Sequence, residues 1–129
     1  MKSSSIVFFA LLAIVTGCTS LPGDGGTSTL QGKVYVERYN ETGTLYQEYY
    51  CGEVRVYLVY GDNVGFDDDT RTSYDGSYKF PFLRKGTYTV FAYSDCLTCD
   101  GSVEVVKSTI EITDNNEVVE IPDLVIQDR

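Results

Sequence analysis

The stretch Ser73–Tyr93, S-Y-D-G-S-Y-K-F-P-F-L-R-K-G-T-Y-T-V-F-A-Y, decides the fold. Tyr78, Phe80 and Phe82 alternate with Ser77, Lys79 and Pro81; Tyr88, Val90 and Ala92 alternate with Thr87, Thr89 and Phe91. A period of two puts every second side chain on one face, the mark of a strand with one face in a core. Asp75-Gly76 stands before the first run. Gly has no Cβ to clash, so it accepts the left-handed angles of a two-residue hairpin turn. Arg84-Lys85-Gly86 turns the chain before the second run. A β-hairpin is therefore expected here, and the rest of the chain is read around it.

Upstream, Leu30–Tyr39 reads as a first strand, with Leu30, Val34 and Val36 on one side and Lys33, Tyr35 and Glu37 on the other. Asn40–Tyr50 is polar and aromatic without a period and reads as a loop. In Glu53–Tyr60, Val54, Val56 and Leu58 alternate with Arg55, Tyr57 and Val59. Gly61–Asp69 is a second loop, and Thr70–Ser73 a short strand. Downstream, Val103–Thr113 is a strand whose alternation breaks at Val105-Val106, predicting a bulge. Glu117–Ile126 closes the chain. Pro122 cannot donate to a ladder, so that strand is an edge or breaks there. Seven short strands with frequent turn signals and no helix point to an all-β sandwich.

The order G-x-V, then V-R-V-Y-L, then T-x-T-x-x-D-G-x-Y-x-F-x-x-L-x-x-G-x-Y-x-V resembles the carboxypeptidase regulatory-like domains of the transthyretin-like and collagen-adhesin B-type sandwiches. The residues that carry it are Gly32, Val34, Val54, Thr70, Thr72, Asp75, Gly76, Tyr78, Phe80, Leu83, Gly86, Tyr88 and Val90. The resemblance implies a seven-stranded transthyretin-like (prealbumin-like) Greek-key sandwich. It is a signature of fold and assigns no active site. It also implies that the second and fifth strands are antiparallel neighbours, so that Tyr57, Phe91 and Tyr93, which share a parity, form one outward patch. Setting Tyr57 opposite Tyr93 sets Cys51 opposite Cys99, and a Cys51–Cys99 disulfide is expected. Cys96 is the alternative partner, and a Cys96–Cys99 ring the competing pair.

At the N-terminus, Lys2 precedes an apolar run from Ile6 to Val15. Ten residues are too few to cross a bilayer, which takes about 20 as a helix, and match a signal-peptide core. The run ends in Val15-Thr16-Gly17-Cys18, which resembles a bacterial lipobox with Cys18 as the lipidated residue. The expected organisation is a cleaved signal peptide at 1–17, a Gly/Ser/Thr/Pro tether at 18–29 and the sandwich at 30–127. Thr19 rather than Asp after the lipidated Cys implies, by resemblance to enterobacterial sorting, the outer membrane.

The chain carries 19 acidic and 10 basic residues. Losing Lys2 with the leader takes the net charge from −9 to −10. That balance disfavours nucleic acid and anionic headgroups as partners. Histidine is absent, which removes Ser-His-Asp and Cys-His catalysis and His-ligated zinc. It also argues against the hydroxyisourate-hydrolase branch of the resembled group. The isopeptide bond of adhesin relatives needs a Lys, an Asn and a buried acid. Lys33 has outward parity, and Tyr88–Tyr93 holds no acid.

Asp62, Asn63, Asp67, Asp68, Asp69 and Asp75 offer oxygens to Ca²⁺, but without the alternate spacing of an EF-hand loop. A solvated loop is the expectation, with Asp67, Asp68 and Asp69 the weak metal candidates and no cofactor expected. Cys96-x-x-Cys99 is followed by no helix to lower a thiol pKa, so a structural disulfide is favoured over a redox motif. What remains is aromatic: the outward Tyr57, Phe91 and Tyr93, and Tyr46, Tyr49 and Tyr50 in the first loop. A contiguous aromatic patch marks a binding surface, while strand propensity alone also enriches Tyr. The function expected is a non-catalytic cell-envelope lipoprotein. It is a binding or accessory module held to the outer membrane by its lipid, facing the periplasm or the cell surface, with a protein or carbohydrate partner. The alternative is a structural subunit or stalk of a surface assembly.

Overall fold

The computed structural model describes residues 21–96 and 103–129. The signal segment, Cys18 and Cys99 lie outside the described residues. Nine strands and no helix occur among those described: β1 (Asp24–Tyr39), β2 (Leu45–Tyr50), β3 (Arg55–Tyr60), β4 (Asp68–Arg71), β5 (Ser77–Leu83), β6 (Gly86–Asp95), β7 (Val103–Ile112), β8 (Val118–Glu120) and β9 (Leu124–Asp128). Two strands exceed the expected seven. The segment read as a loop before Cys51 contains β2, and the closing strand is divided at Ile121-Pro122-Asp123, where Pro122 has no N–H to offer.

The strands form two sheets. One is antiparallel throughout, in the order β4-β3-β6-β7. The other has β1 as its spine. The first half of β1 pairs antiparallel with β5 and parallel with β8; the second half pairs antiparallel with β2 and parallel with β9. Val34 shows how the halves join: its N–H donates to Gly76 O and its carbonyl accepts from Cys51 N. Both groups of one strand residue point to the same side, so β5 and β2 lie end to end along one flank of β1, with β8 and β9 along the other.

The inward parity of each strand meets in one core. Leu30, Val34, Val56, Leu58, Tyr88, Val90 and Ala92 are completely buried, and Phe80, Leu83, Ile112, Ile121, Leu124 and Ile126 join them.

Several expectations are corrected here. β5 and β6 are not a hairpin. β5 belongs to the β1 sheet and β6 to the other, so Arg84-Lys85 arches across the sandwich. Local turn chemistry is the same for an arch and a hairpin; only the pairing of the flanking strands separates them. The Asp75-Gly76 turn does form, with Gly76 at φ +81° and Gly76 N–H donating to Ser73 O, but it too carries the chain between sheets. Phe82 has φ +60° and faces solvent, and Leu83 takes the buried place instead. No bulge interrupts β7, whose pairing with β6 is continuous from Gly86↔Ile112 to Asp95↔Val103. Val103 and Val105 simply lie on the exposed face.

The segment expected as a free tether is partly built into the domain. β1 begins at Asp24, and Ser28 is buried, its hydroxyl donating to Asp114 O while accepting from Glu117 N. Tyr88 fastens the residues before it. Its hydroxyl accepts from Gly23 N at 2.8 Å and donates to Arg84 O at 2.6 Å, and Arg84 N donates to Gly23 O. Gly86, at φ +144°, lets Pro22 close on the arch, since a Cβ there would meet Pro22 Cγ at 2.5 Å.

Candidate functional site

Tyr57 on β3 pairs directly with Phe91 on β6. Residues opposite one another in an antiparallel ladder share a face, and two positions along β6 the same face returns at Tyr93. The three rings form one patch on the outside of the four-stranded sheet. Tyr57 and Phe91 stack with centroids 4.9 Å apart and planes 13° from parallel. Tyr93 stands edge-on to both, 5.4 Å from Tyr57 and 5.8 Å from Phe91. Such offset and edge-to-face contacts satisfy the ring quadrupoles and contribute about 0.5–1.5 kcal/mol per pair beyond burial.

Sequence reading missed the fourth ring. Phe66, in the β3–β4 loop, lies 4.8 Å from Tyr57 and is 49% exposed. No period identifies a loop residue. What places it is the loop's own hydrogen bonding: Asp67 Oδ2 accepts from Tyr60 N, Asn63 Nδ2 donates to both Asp67 oxygens, and Asp67 N donates to Leu58 O. The loop folds back over β3 and presents Phe66 to Tyr57.

A charged pair borders the rings. The Arg55 guanidinium lies 5.3 Å from the Tyr57 ring centroid, and its Nε is 2.7 Å from Asp69 Oδ2. The Asp69 hydrogen bond and charge raise the Arg55 pKa further above its ordinary value. The result is an aromatic shelf with Tyr93 52% exposed at one end and a fixed donor–acceptor pair beside Tyr57. Opposite Tyr93 across the β6–β7 ladder stands Val105, also exposed.

The three adjacent aspartates do not converge. Asp67 caps the loop as described, Asp68 Oδ1 accepts from Asp69 N, and Asp69 holds Arg55. Among the described residues no three Cys, Asp or Glu side chains gather as metal ligands.

The cysteine expectation is corrected. Cys51 is a free thiol, half-buried against the core, with its Sγ directed to Gly52 O. Cys96 is disulfide-bonded, so Cys51 is not its partner, and the Cys51–Cys99 and Cys51–Cys96 pairs are both excluded. The reason is register. The structure pairs Tyr57 with Phe91, not with Tyr93, a slip of two residues. It preserves the parity that unites the aromatic patch and removes the absolute register on which the cysteine expectation depended.

The five-stranded sheet carries its own outward tyrosines. Tyr35 and Tyr50 pair across β1 and β2, 5.1 Å apart and edge-on. Tyr50 Oη donates to Asp123 and Tyr39 Oη to Glu37. Lys33 Nζ lies 4.9 Å from the Tyr50 centroid, and Arg38 covers Tyr46 at 5.7 Å. Here the hydroxyls of Tyr39 and Tyr50 and the rings of Tyr35, Tyr46 and Tyr50 have partners within the chain.

No family model matches the chain, and no curated protein does. Among solved structures, it is similar to a protein of Pseudomonas aeruginosa proposed to bind carbohydrate. The TM-score is 0.50 at 12% identity, over 80% of this chain and 90% of that one. At that identity the likeness concerns the fold.

Proposed function

We propose that this chain is a non-catalytic binding module of the cell envelope that takes carbohydrate on the shelf formed by Tyr57, Phe66, Phe91 and Tyr93. The observation that carries the reading is the stacked, solvent-facing group of four rings beside the Arg55–Asp69 pair. The C–H face of a pyranose is apolar and weakly positive, so it lies well on the negative face of an aromatic ring. Sugar hydroxyls then need oriented donors and acceptors, and the Arg55 guanidinium and Asp69 carboxylate supply one of each. The fold neighbour proposed to bind carbohydrate is consistent with this use of the scaffold. The resemblance to carboxypeptidase regulatory-like domains supports an accessory role, and the lipobox-like Val15–Cys18 supports anchoring by an N-terminal lipid at the outer membrane.

A glycan array probed with the wild type and with Tyr57→Ala tests it. Binding by the folded variant should fall at least tenfold, about 1.4 kcal/mol, alongside a stability loss of about 1.5–4.5 kcal/mol from its three ring contacts. Equal binding by both proteins, or no glycan bound by either, removes the shelf as a carbohydrate site.

A structural role has one observation of its own. β7 is a ten-residue edge with Val103 and Val105 exposed, a template for strand addition. Concentration-dependent self-association that is lost on Val105→Lys would favour that reading.

A further inference from the structure

Where β4 of one sheet meets β5 of the other there is a groove of about 570 Å³, within the range of small-ligand sites. It shares no residue with the aromatic shelf. Its charged lining inverts the balance of the molecule: Lys33, Arg71 and Lys79 against Glu120, in a chain with 19 acids to 10 bases. None of the three cations is held in an ion pair. The ion pairs among the described residues are Arg38–Asp128 and Arg55–Asp69, and neither includes them. Lys33 lies over the Tyr50 ring, and its charge also acts on the Asp75 carboxylate of the neighbouring turn. Glu120 accepts from Gln31 Nε2, and Asp75 accepts from both the N–H and the hydroxyl of Ser77. The two carboxylates offset part, and not all, of the three positive charges.

The remaining lining is neutral and hydrogen-bonding: Gln31, Thr70, Ser73 and Ser77. Tyr78 completes the wall. It is 4% exposed and its hydroxyl has no hydrogen-bond partner. That hydroxyl rests against Gly32, where an added Cβ would stand 2.7 Å from it.

From this lining we infer that the groove is a second binding site, for a sugar bearing an oxyanion, a uronate or a sulfate ester. Unpaired cations supply the charge that an oxyanion needs, and the hydroxyl and amide groups suit the rest of a polyhydroxylated ring. The assignment does not rest on the aromatic shelf.

Microscale thermophoresis of the full exported protein in detergent tests it with glucuronate, glucose 6-sulfate, glucose and sodium sulfate. The two acidic sugars should bind at least tenfold more tightly than glucose and than inorganic sulfate, and several-fold more weakly when salt is raised from about 0.05 to 0.5 M. Arg71→Ala combined with Lys79→Ala should abolish that preference. Lys79→Gln, at an exposed position, should still weaken binding several-fold should the double variant not fold. Glucose bound as tightly as glucuronate, inorganic sulfate bound as tightly as either acid, or Lys79→Gln binding like the wild type would each overturn the proposal.

Discussion

The two sheets dispose of their aromatic residues in opposite ways. In the four-stranded sheet the buried tyrosine is fully bonded: Tyr88 holds Gly23 N and Arg84 O. The outward rings Tyr57, Phe66, Phe91 and Tyr93 pack on one another, mostly edge-on, and Phe66 and Tyr93 stay half exposed. In the five-stranded sheet the buried hydroxyl, on Tyr78, is the orphan. There the outward tyrosines are held by Asp123 and Glu37 through their hydroxyls and by Lys33 and Arg38 over their rings. Exposure of tyrosine is therefore a poor guide to a binding surface. What separates the two faces is the kind of partner: other rings on the four-stranded sheet, carboxylates and cations on the five-stranded one.

The contrast breaks first at Tyr88. Tyr88→Phe leaves a buried N–H and a carbonyl unpaired and loosens the N-terminal segment, which the Arg84 N–H still holds at Gly23 O. A loss of about 2–3 kcal/mol is expected, lowering Tm by about 10 °C or more for a domain of this size. Faster hydrogen exchange at the Gly23 amide should accompany it. A melting point within 2–3 °C of the wild type would mean that this tyrosine is no better satisfied than Tyr78.

Tyr78→Phe should do the reverse. Removing an unpaired buried hydroxyl leaves stability at neutral pH unchanged or raises it by up to about 1 kcal/mol. Burial holds the Tyr78 phenol far above the ordinary value, with the charge of Asp123 adding to it. The unfolded chain therefore releases this proton first. The stability it contributes is complete below the unfolded pKa of about 10 and declines as pH rises above it. Chemical denaturation from pH 9 to 11 should show a steeper decline in the wild type than in Tyr78→Phe. Parallel slopes would place the phenol at its ordinary pKa.

The smallest effect concerns an exposed pair. The Asp123 hydrogen bond, and after it the Asp123 charge, raises the Tyr50 phenol above its ordinary range. Asp123→Asn should bring it back toward that range in an ultraviolet titration, with the melting temperature little changed. A Tyr50 titration indifferent to Asp123 would remove one of the partners that distinguish this face.

How far the sequence could be read follows from the same physics. Alternation in β6 placed Tyr88, Val90 and Ala92 in the core and Phe91 and Tyr93 outside, because both faces of that strand have one character each. β2 was illegible for the opposite reason: nearly all of its residues are exposed, so no period separates two faces. The aromatic patch survived a register slip of two because parity survived it, whereas the cysteine pairing depended on absolute register and did not. The arch between β5 and β6 was misread as a hairpin because its turn residues suit both. Phe66 and the Tyr78 hydroxyl depend on loop folding and on an approach to Gly32, which only tertiary structure specifies.

The spine of the five-stranded sheet has a consequence for the order of events during folding. β1 leaves the ribosome, and crosses any membrane, before the other described strands, yet its parallel partners are the last two. Val36 waits for Ile126, about ninety residues later. Contacts that distant cost loop-closure entropy before they return any energy, and they slow folding. One flank of β1 stays unpaired until β8 and β9 have emerged. A chain cut short before Leu124 presents half of its central strand with no neighbour on that side, a template for aggregation.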